Sequence, residues 1–275
     1  TNNDSNSLIE TGIAHQAEAT VQKSENENME VHHHGHVHEK KKWKEYLFQF
    51  FMLFLAVFCG FLAEYKLEHV IEKDREKQYI FSLVDDLKED TRVLQSQIAM
   101  LRNKIKMMDS LIAILNTPAR IAKSGNELYY YGRLAPRTTN FTSNVRTFEQ
   151  LKNSGNFRLI KNVDASNLIM SYYQKILPIQ QLERIYLDEL SEYKKTASKI
   201  FDPVIFTSHV SKNGEIIKTT NNPPLQTNDP AVIKQLALYA VYMNGSRSTI
   251  LLYHENLLKS ARELINYLQK EYHRE

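Results

Sequence analysis

Five histidines, His32, His33, His34, His36 and His38, fall in one short run of the chain, flanked by Glu30 and Glu39. Imidazole nitrogens suit Zn, Cu and Ni, and the two carboxylates add oxygen donors. Residues 1–39 contain no aromatic side chain, are rich in Asn, Glu and Ser, and carry seven acids against one lysine. Such a tail cannot bury enough apolar area to offset the entropy of ordering, so disorder is expected. With no neighbours to fix imidazole tautomers, a metal must order the chain as it binds. The expectation is weak, exchangeable Zn or Cu binding and no resident cofactor. Beside an anionic leaflet, the same imidazoles together with Lys40, Lys41, Lys42 and Lys44 serve as a pH-dependent electrostatic contact.

A second constellation is aromatic and basic: Tyr129, Tyr130 and Tyr131 with Arg133 and Arg137. Tyrosine and arginine together suit a partner surface, and the same rings equally suit closing the end of a helical bundle with their hydroxyls at its wet edge. Beyond these groups the chain is chemically quiet. His69, His209, His254 and His273 stand apart without HExxH spacing, and no GxSxG, Walker or GxGxxG pattern occurs. Glu149 and Asp164 stand near helix starts, where carboxylates act as caps. The reading is that the chain is not an enzyme.

The elements that must position these residues begin with an uncharged run from Tyr46 to Ala63, whose apolar character only Gln49 interrupts. Eighteen residues at ~1.5 Å each give roughly 27 Å, close to the ~30 Å hydrocarbon thickness of a bilayer. One transmembrane helix is expected. It should remain as an uncleaved anchor, because it exceeds an ordinary signal core and lacks a small-x-small exit before Glu64. Lysine and arginine near the span number four on each side, but Lys40, Lys41, Lys42 and Lys44 crowd its edge, which favours a cytoplasmic N-terminus. Within the span, Gln49, Ala56, Gly60 and Ala63 share a face, with small residues four apart that let helix backbones approach. Self-association along that face is expected. The only cysteine, Cys59, lies in the span, so a disulfide framework is excluded.

Beyond the span the chain reads as mainly α. Glycine is sparse, 8 in 275 residues, about 3% against a usual ~7%. Nine of the fifteen residues from Glu64 to Gln78 are charged, in a helix-compatible mix, so the helix should leave the membrane unbroken. From Ile80 an apolar seam runs through Val84, Leu87, Thr91, Leu94, Ile98, Leu101, Ile105, Met108 and Ile112 to Leu115, at heptad spacing. That seam serves either a parallel coiled coil or the inside of an intramolecular bundle. Pro118 stops it, and a long connection reaches Ser143 or Asn144, expected to cap a helix to Ser154. Asp164 should cap a long helix through Ile200, kinked at Pro178, with Leu168, Tyr172, Ile176, Ile179, Leu182, Tyr186, Leu190 and Tyr193 inward. Asn213–Gly214 signals a small β-hairpin between Val210 and Ile217. Asp229 and Pro230 open a helix to Met243, and a last one from Arg247 to Tyr272 presents Leu251, Leu252, Leu258, Ala261, Ile265 and Leu268. The domains expected are a tail over 1–39, a basic flank and span over 40–67, and a helical bundle over 68–275.

Two stretches, EVHHHGHVHEKKKWKEYLFQFFMLFLAVFCGFLAEYKLEHVIEKDREKQYIFSLVDDLKEDT (Glu30 to Thr91) and TFEQLKNSGNFRLIKN (Thr147 to Asn162), resemble an uncharacterised family of single-pass membrane proteins common in Bacteroidota. The resemblance implies an inner-membrane anchor with a periplasmic helical domain and brings no activity with it. Net charge of +3, with acids interleaved throughout the bundle, makes no nucleic-acid stripe. The expectation is a membrane-anchored interaction protein: a scaffold or an accessory subunit of an envelope complex, ahead of a sensor, since 39 tail residues are few for an output module. Its partners would be the bilayer, further copies of the chain and other envelope membrane proteins. The alternative is a metal-handling protein working through the histidine tail.

Overall fold

The computed structural model describes residues 43–273, and the chain divides into two units, Thr1–Phe58 and Cys59–Glu275. Helix α1 (Trp43–Leu115) supplies both; its 73 residues contain one glycine and no proline, so nothing interrupts the backbone ladder before Pro118. In the first unit the described residues are helical and exposed, and Phe50, Phe54 and Phe58 stack four apart with ring centroids 6.4 and 6.0 Å apart. An 18-residue window of α1 is long and apolar enough to cross a membrane, and none of it is buried by protein.

The second unit is mainly α, a bundle in which α1 packs with α5 (Val163–Gln174), α6 (Ile176–Ala197) and α8 (Pro230–Tyr272). The heptad seam is an internal core: Ile80, Val84, Leu87, Leu94, Ile98, Leu101, Met108 and Leu115 are buried, while Leu83 and Leu111 widen the stripe. Two apolar clusters result. One joins Met108, Leu111 and Leu115 to Tyr186, Tyr193, Leu236 and Met243; the other joins Ile80, Leu87 and Leu94 to Ile169, Tyr172, Ile179, Leu257 and Leu264. Buried Glu183 and His254 sit along the helices between them.

Several expectations change. The connection after Pro118 holds two helices, α2 (Pro118–Ile121) and α3 (Gly125–Leu134), so Tyr129–Tyr131 are helical. Helix α4 (Arg146–Asn153) has Val145 at its N-cap, in place of Ser143 or Asn144. The donors at and before its start turn to α1 instead: the Thr147 N–H donates to Asp86 (3.0 Å), and the preceding Asn144 N–H and Ser143 hydroxyl donate to Asp90 (2.7 and 2.5 Å). Asn162, two residues before Asp164, caps α5 by accepting from the Ala165 N–H. Pro178 does more than kink: its ring opposes the Gln174 carbonyl, and the chain breaks into α5 and α6 at Lys175. Leu168 is exposed, and Ala165, Ile169 and Tyr173 take the inner side of α5.

The hairpin reduces to a single bridge, Val210 to Ile216, because α7 (Pro203–Ser208), capped by Asp202, takes up the approach to it. A tight turn survives: the Gly214 N–H donates to the Ser211 carbonyl, with Gly214 at φ 78° in the left-handed region. The last two expected helices are one. Along α8, Ile233, Leu236, Ala240, Met243, Arg247, Ile250, His254, Leu257, Ala261, Leu264 and Leu268 are buried in unbroken phase through Asn244 and Gly245. Asn244 is held by Asp109 (2.7 Å). Leu252 is exposed and Leu251, Leu258 and Ile265 are only partly buried, since polar Arg247 and His254 occupy the inward phase that apolar counting assigned to their neighbours.

Candidate functional site

The segment 135–145 has no regular structure and passes over α1 and α6, so its backbone groups need partners from side chains. Tyr186 donates to the Pro136 carbonyl (2.7 Å), Glu183 accepts from the Phe141 N–H (2.9 Å), and Tyr173 donates to the Asn144 carbonyl (3.3 Å). Thr139 reaches Gln97 (3.0 Å), and Asp90 takes Ser143 and Asn144. Tyr172 also donates to Asp90 (2.7 Å). Burial holds the Asp90 carboxyl above its ordinary range against those donors. Burial likewise holds the Glu183 carboxyl up against the Phe141 N–H.

Helix α3 is drawn down by the same chemistry. Tyr193 donates to the Gly132 carbonyl (2.9 Å), and Gly132 lies so close to Phe201 that a Cβ there would stand 2.6 Å from its Cζ. Tyr129, at zero exposure, donates to the Pro224 carbonyl (3.1 Å) and accepts from the Asp202 N–H (3.0 Å).

Between α3, the 135–145 segment, the C-terminal half of α6 and α7 opens a cleft of about 1210 Å³. Its apolar lining includes Leu134, Leu187, Leu190, Phe201 and Phe206, with Met100 of α1; Lys104, Arg133, Arg137 and Lys194 supply cations, and the lining contains no Asp or Glu. Lys104 donates to the Leu134 carbonyl (2.8 Å), and Arg133 donates to the Phe206 carbonyl (2.6 Å) with its guanidinium 5.4 Å from that ring's centre. Behind the cleft lies Arg247, 1% exposed. It donates to the Tyr186 hydroxyl and, at 3.4 Å each, to the carbonyls of Lys104 and Arg137; its Nε has no partner. Burial, with the charges of Arg247 and Arg137, pushes the Lys104 ammonium down to about 8.

The residues singled out in the sequence scatter. His32, His33, His34, His36 and His38 lie outside the described residues. Among the described residues no three His, Cys, Asp or Glu side chains gather as a metal site. Gln49, Ala56, Gly60 and Ala63 are exposed on α1, and nothing stands within 4 Å of a Cβ placed on Gly60. Of the proposed partner surface, Tyr129 is a core residue, stacked on His209 at 5.6 Å. Tyr130 and Tyr131 are partly buried beneath Lys218, whose Nζ is 5.2 and 4.9 Å from their ring centres, and Arg133 and Arg137 enter the cleft.

Lys104, Lys194 and Arg247 were missed. The signal for Lys104 and Arg247 was present: Lys104 lies three residues after Leu101 and four before Met108, and Arg247 four after Met243 and three before Ile250, each a charge in a core phase. Lys194 carried no such signal, because only the fold brings α6 beside α3. No family model matches the chain, and no curated protein or solved structure matches it.

Proposed function

We propose that this chain is a membrane-anchored protein whose helical bundle works by binding, as a scaffold or accessory subunit of an envelope complex. The observation that carries the reading is the 18-residue apolar window of α1, none of it covered by protein. Uncovered apolar surface of that length is costly in water and favourable in hydrocarbon. Binding is favoured over catalysis by the use made of the buried carboxylates: Glu76, Asp86, Asp90 and Glu183 each accept a backbone N–H, of Lys161, Thr147, Asn144 and Phe141. They act as caps and loop ties.

The lysines at 40–44 support an N-terminus in the cytoplasm and a bundle outside it, and the resemblance of residues 30–91 and 147–162 supports an anchor in the bacterial inner membrane. Gln49, Ala56, Gly60 and Ala63 form the face along which spans of further copies meet. The family that residues 30–91 and 147–162 resemble implies the same orientation. Protease added to spheroplasts is the test of topology: the bundle from Glu64 onward is digested while an N-terminal tag is protected. A protected bundle with a cleaved N-terminal tag overturns the assignment.

A further inference from the structure

We infer that the cleft between α3, the 135–145 segment, α6 and α7 binds a small amphiphilic anion, its phosphate or carboxylate head on Lys104 and Arg137 and its apolar body along Leu187, Leu190 and Phe206. The inference goes beyond the anchored scaffold and holds for either orientation of the span.

Three observations converge on it. Some cations elsewhere on the bundle sit against carboxylates: Arg102 on Glu255 at 2.6 Å, Arg146 on Asp86 at 2.7 Å, Lys161 on Glu72 at 3.4 Å. In the cleft, Lys104, Arg133, Arg137 and Lys194 share one concavity and none has a carboxylate within ion-pair distance among the described residues. Like charges gathered without a counter-ion repel, and a bound anion relieves that repulsion.

Arg247 makes the arrangement more specific. A guanidinium buried without a carboxylate is costly. This one is held by the carbonyls of Lys104 and Arg137, so it fixes the backbone of the two residues assigned to the head and adds its own field behind them. Burial first, and then the charges of Arg247 and Arg137, lower the proton affinity of Lys104. The third observation is the wall. About 1210 Å³ is ample for a small ligand, typical sites being roughly 300–1,000 Å³. Leucine and phenylalanine side chains line it beside the hydroxyls of Thr138, Thr139 and Thr207. A free inorganic anion leaves that apolar wall unused, and a neutral apolar molecule leaves the cations unpaired.

The test uses the full chain in phosphatidylcholine nanodiscs, with empty nanodiscs subtracted, titrated with octyl phosphate, octyl glucoside and inorganic phosphate and followed by equilibrium dialysis. Octyl phosphate is expected to bind saturably and at least about tenfold more tightly than either comparison, a difference of ~1.4 kcal/mol. Arg137→Gln and Leu187→Glu, both at exposed positions that leave the helical circular dichroism unchanged, should each weaken it about tenfold.

Octyl phosphate is a dianion well above its second pKa near 6, so any loss of affinity above pH 8 comes from the protein. Lys104 faces Arg137 from the 135–145 segment and Arg247 from α8, with Arg133 of α3 and Lys194 of α6 lining the same cleft. Arginines stay protonated over this range. Affinity should therefore be full near pH 7 and fall as the pH rises through about 8, where the Lys104 ammonium loses its proton. Lys104→Arg should keep affinity and remove the fall. Equal binding of inorganic phosphate or of octyl glucoside overturns the amphiphile. Indifference to Arg137→Gln and Leu187→Glu overturns the location, and a fall that persists in Lys104→Arg overturns the head site.

Discussion

His254 is 1% exposed, its ring meets Phe141 edge-on at 5.6 Å, and neither ring nitrogen has a hydrogen-bond partner. Burial alone pushes its pKa down to about 4. As pH falls below the ordinary value near 6.5, the unfolded chain takes up a proton that the folded chain refuses until about pH 4. Its contribution is therefore intact above pH 6.5 and erodes through the window from 6.5 to 4, by up to roughly 3 kcal/mol. Asp90, Glu183 and Glu189, whose carboxyls burial holds high, act in the opposite direction. His254→Leu keeps an apolar contact with Phe141 and should flatten that part of the stability profile. Thermal unfolding at pH 7 and pH 5 measures it; an unchanged difference between the two pH values assigns the acid sensitivity to other groups.

At the scale of elements, α4 is a short helix whose first turn lacks a local cap, so it depends on α1 for the partners of its leading N–H groups. Asp86 supplies them from a side chain at zero exposure, accepting from Thr147 and from Arg146 at 2.7 Å, the latter with its own side chain 71% exposed. Asp86→Ala should cost about 2 kcal/mol, a missing cap plus an unsatisfied buried donor, and lower Tm by roughly 5 °C for a unit of this size. Arg146→Ala removes only an exposed partner and should cost under ~1 kcal/mol. Differential scanning fluorimetry of the two variants decides; equal losses would make the ion pair, rather than the cap, the stabilising contact. The same logic explains much of the tyrosine content. Tyr129, Tyr173, Tyr186 and Tyr193 each carry a ring into the packed interior and a hydroxyl to a backbone carbonyl, of a loop for the first three and of α3 for Tyr193.

At the scale of the whole molecule, the heptads from Ile80 to Leu115 lie in the core of one chain, which leaves the span as the surface proposed for association of copies. If helices meet along Gln49, Ala56 and Gly60, Gly60→Leu inserts a branched side chain where backbones nearly touch and separates them, since packing rather than hydrophobic transfer drives association in lipid. Phe54 lies off that face, and Phe54→Leu should leave the oligomer intact. Native mass spectrometry in detergent distinguishes the two. A monomeric unmodified protein, or equal effects of both substitutions, removes the span as an assembly surface.

Hydrophobic periodicity and helix-stop chemistry were enough, in the sequence alone, to specify an uninterrupted helix from the apolar span into the heptads, its end at Pro118, the Asp229–Pro230 start of α8 and the mainly α class. These are local properties, set by spacing along one strand of chain. Tertiary structure alone decided what depends on a second element. Asp86 caps α4 from α1 and Asp90 ties down the residues just before it, which no local pattern encodes. Helix α8 runs through Asn244–Gly245 because Asp109 and a continuous buried seam outweigh two poor helix formers. Tyr129 and Arg133 stand one turn apart on α3, yet packing against Phe201 and His209 buries the first while the second reaches the cleft. The cleft itself draws Lys104 from α1 and Lys194 from α6 to the same opening as Arg133 and Arg137, residues ninety apart in the chain that only the packing of four segments makes neighbours.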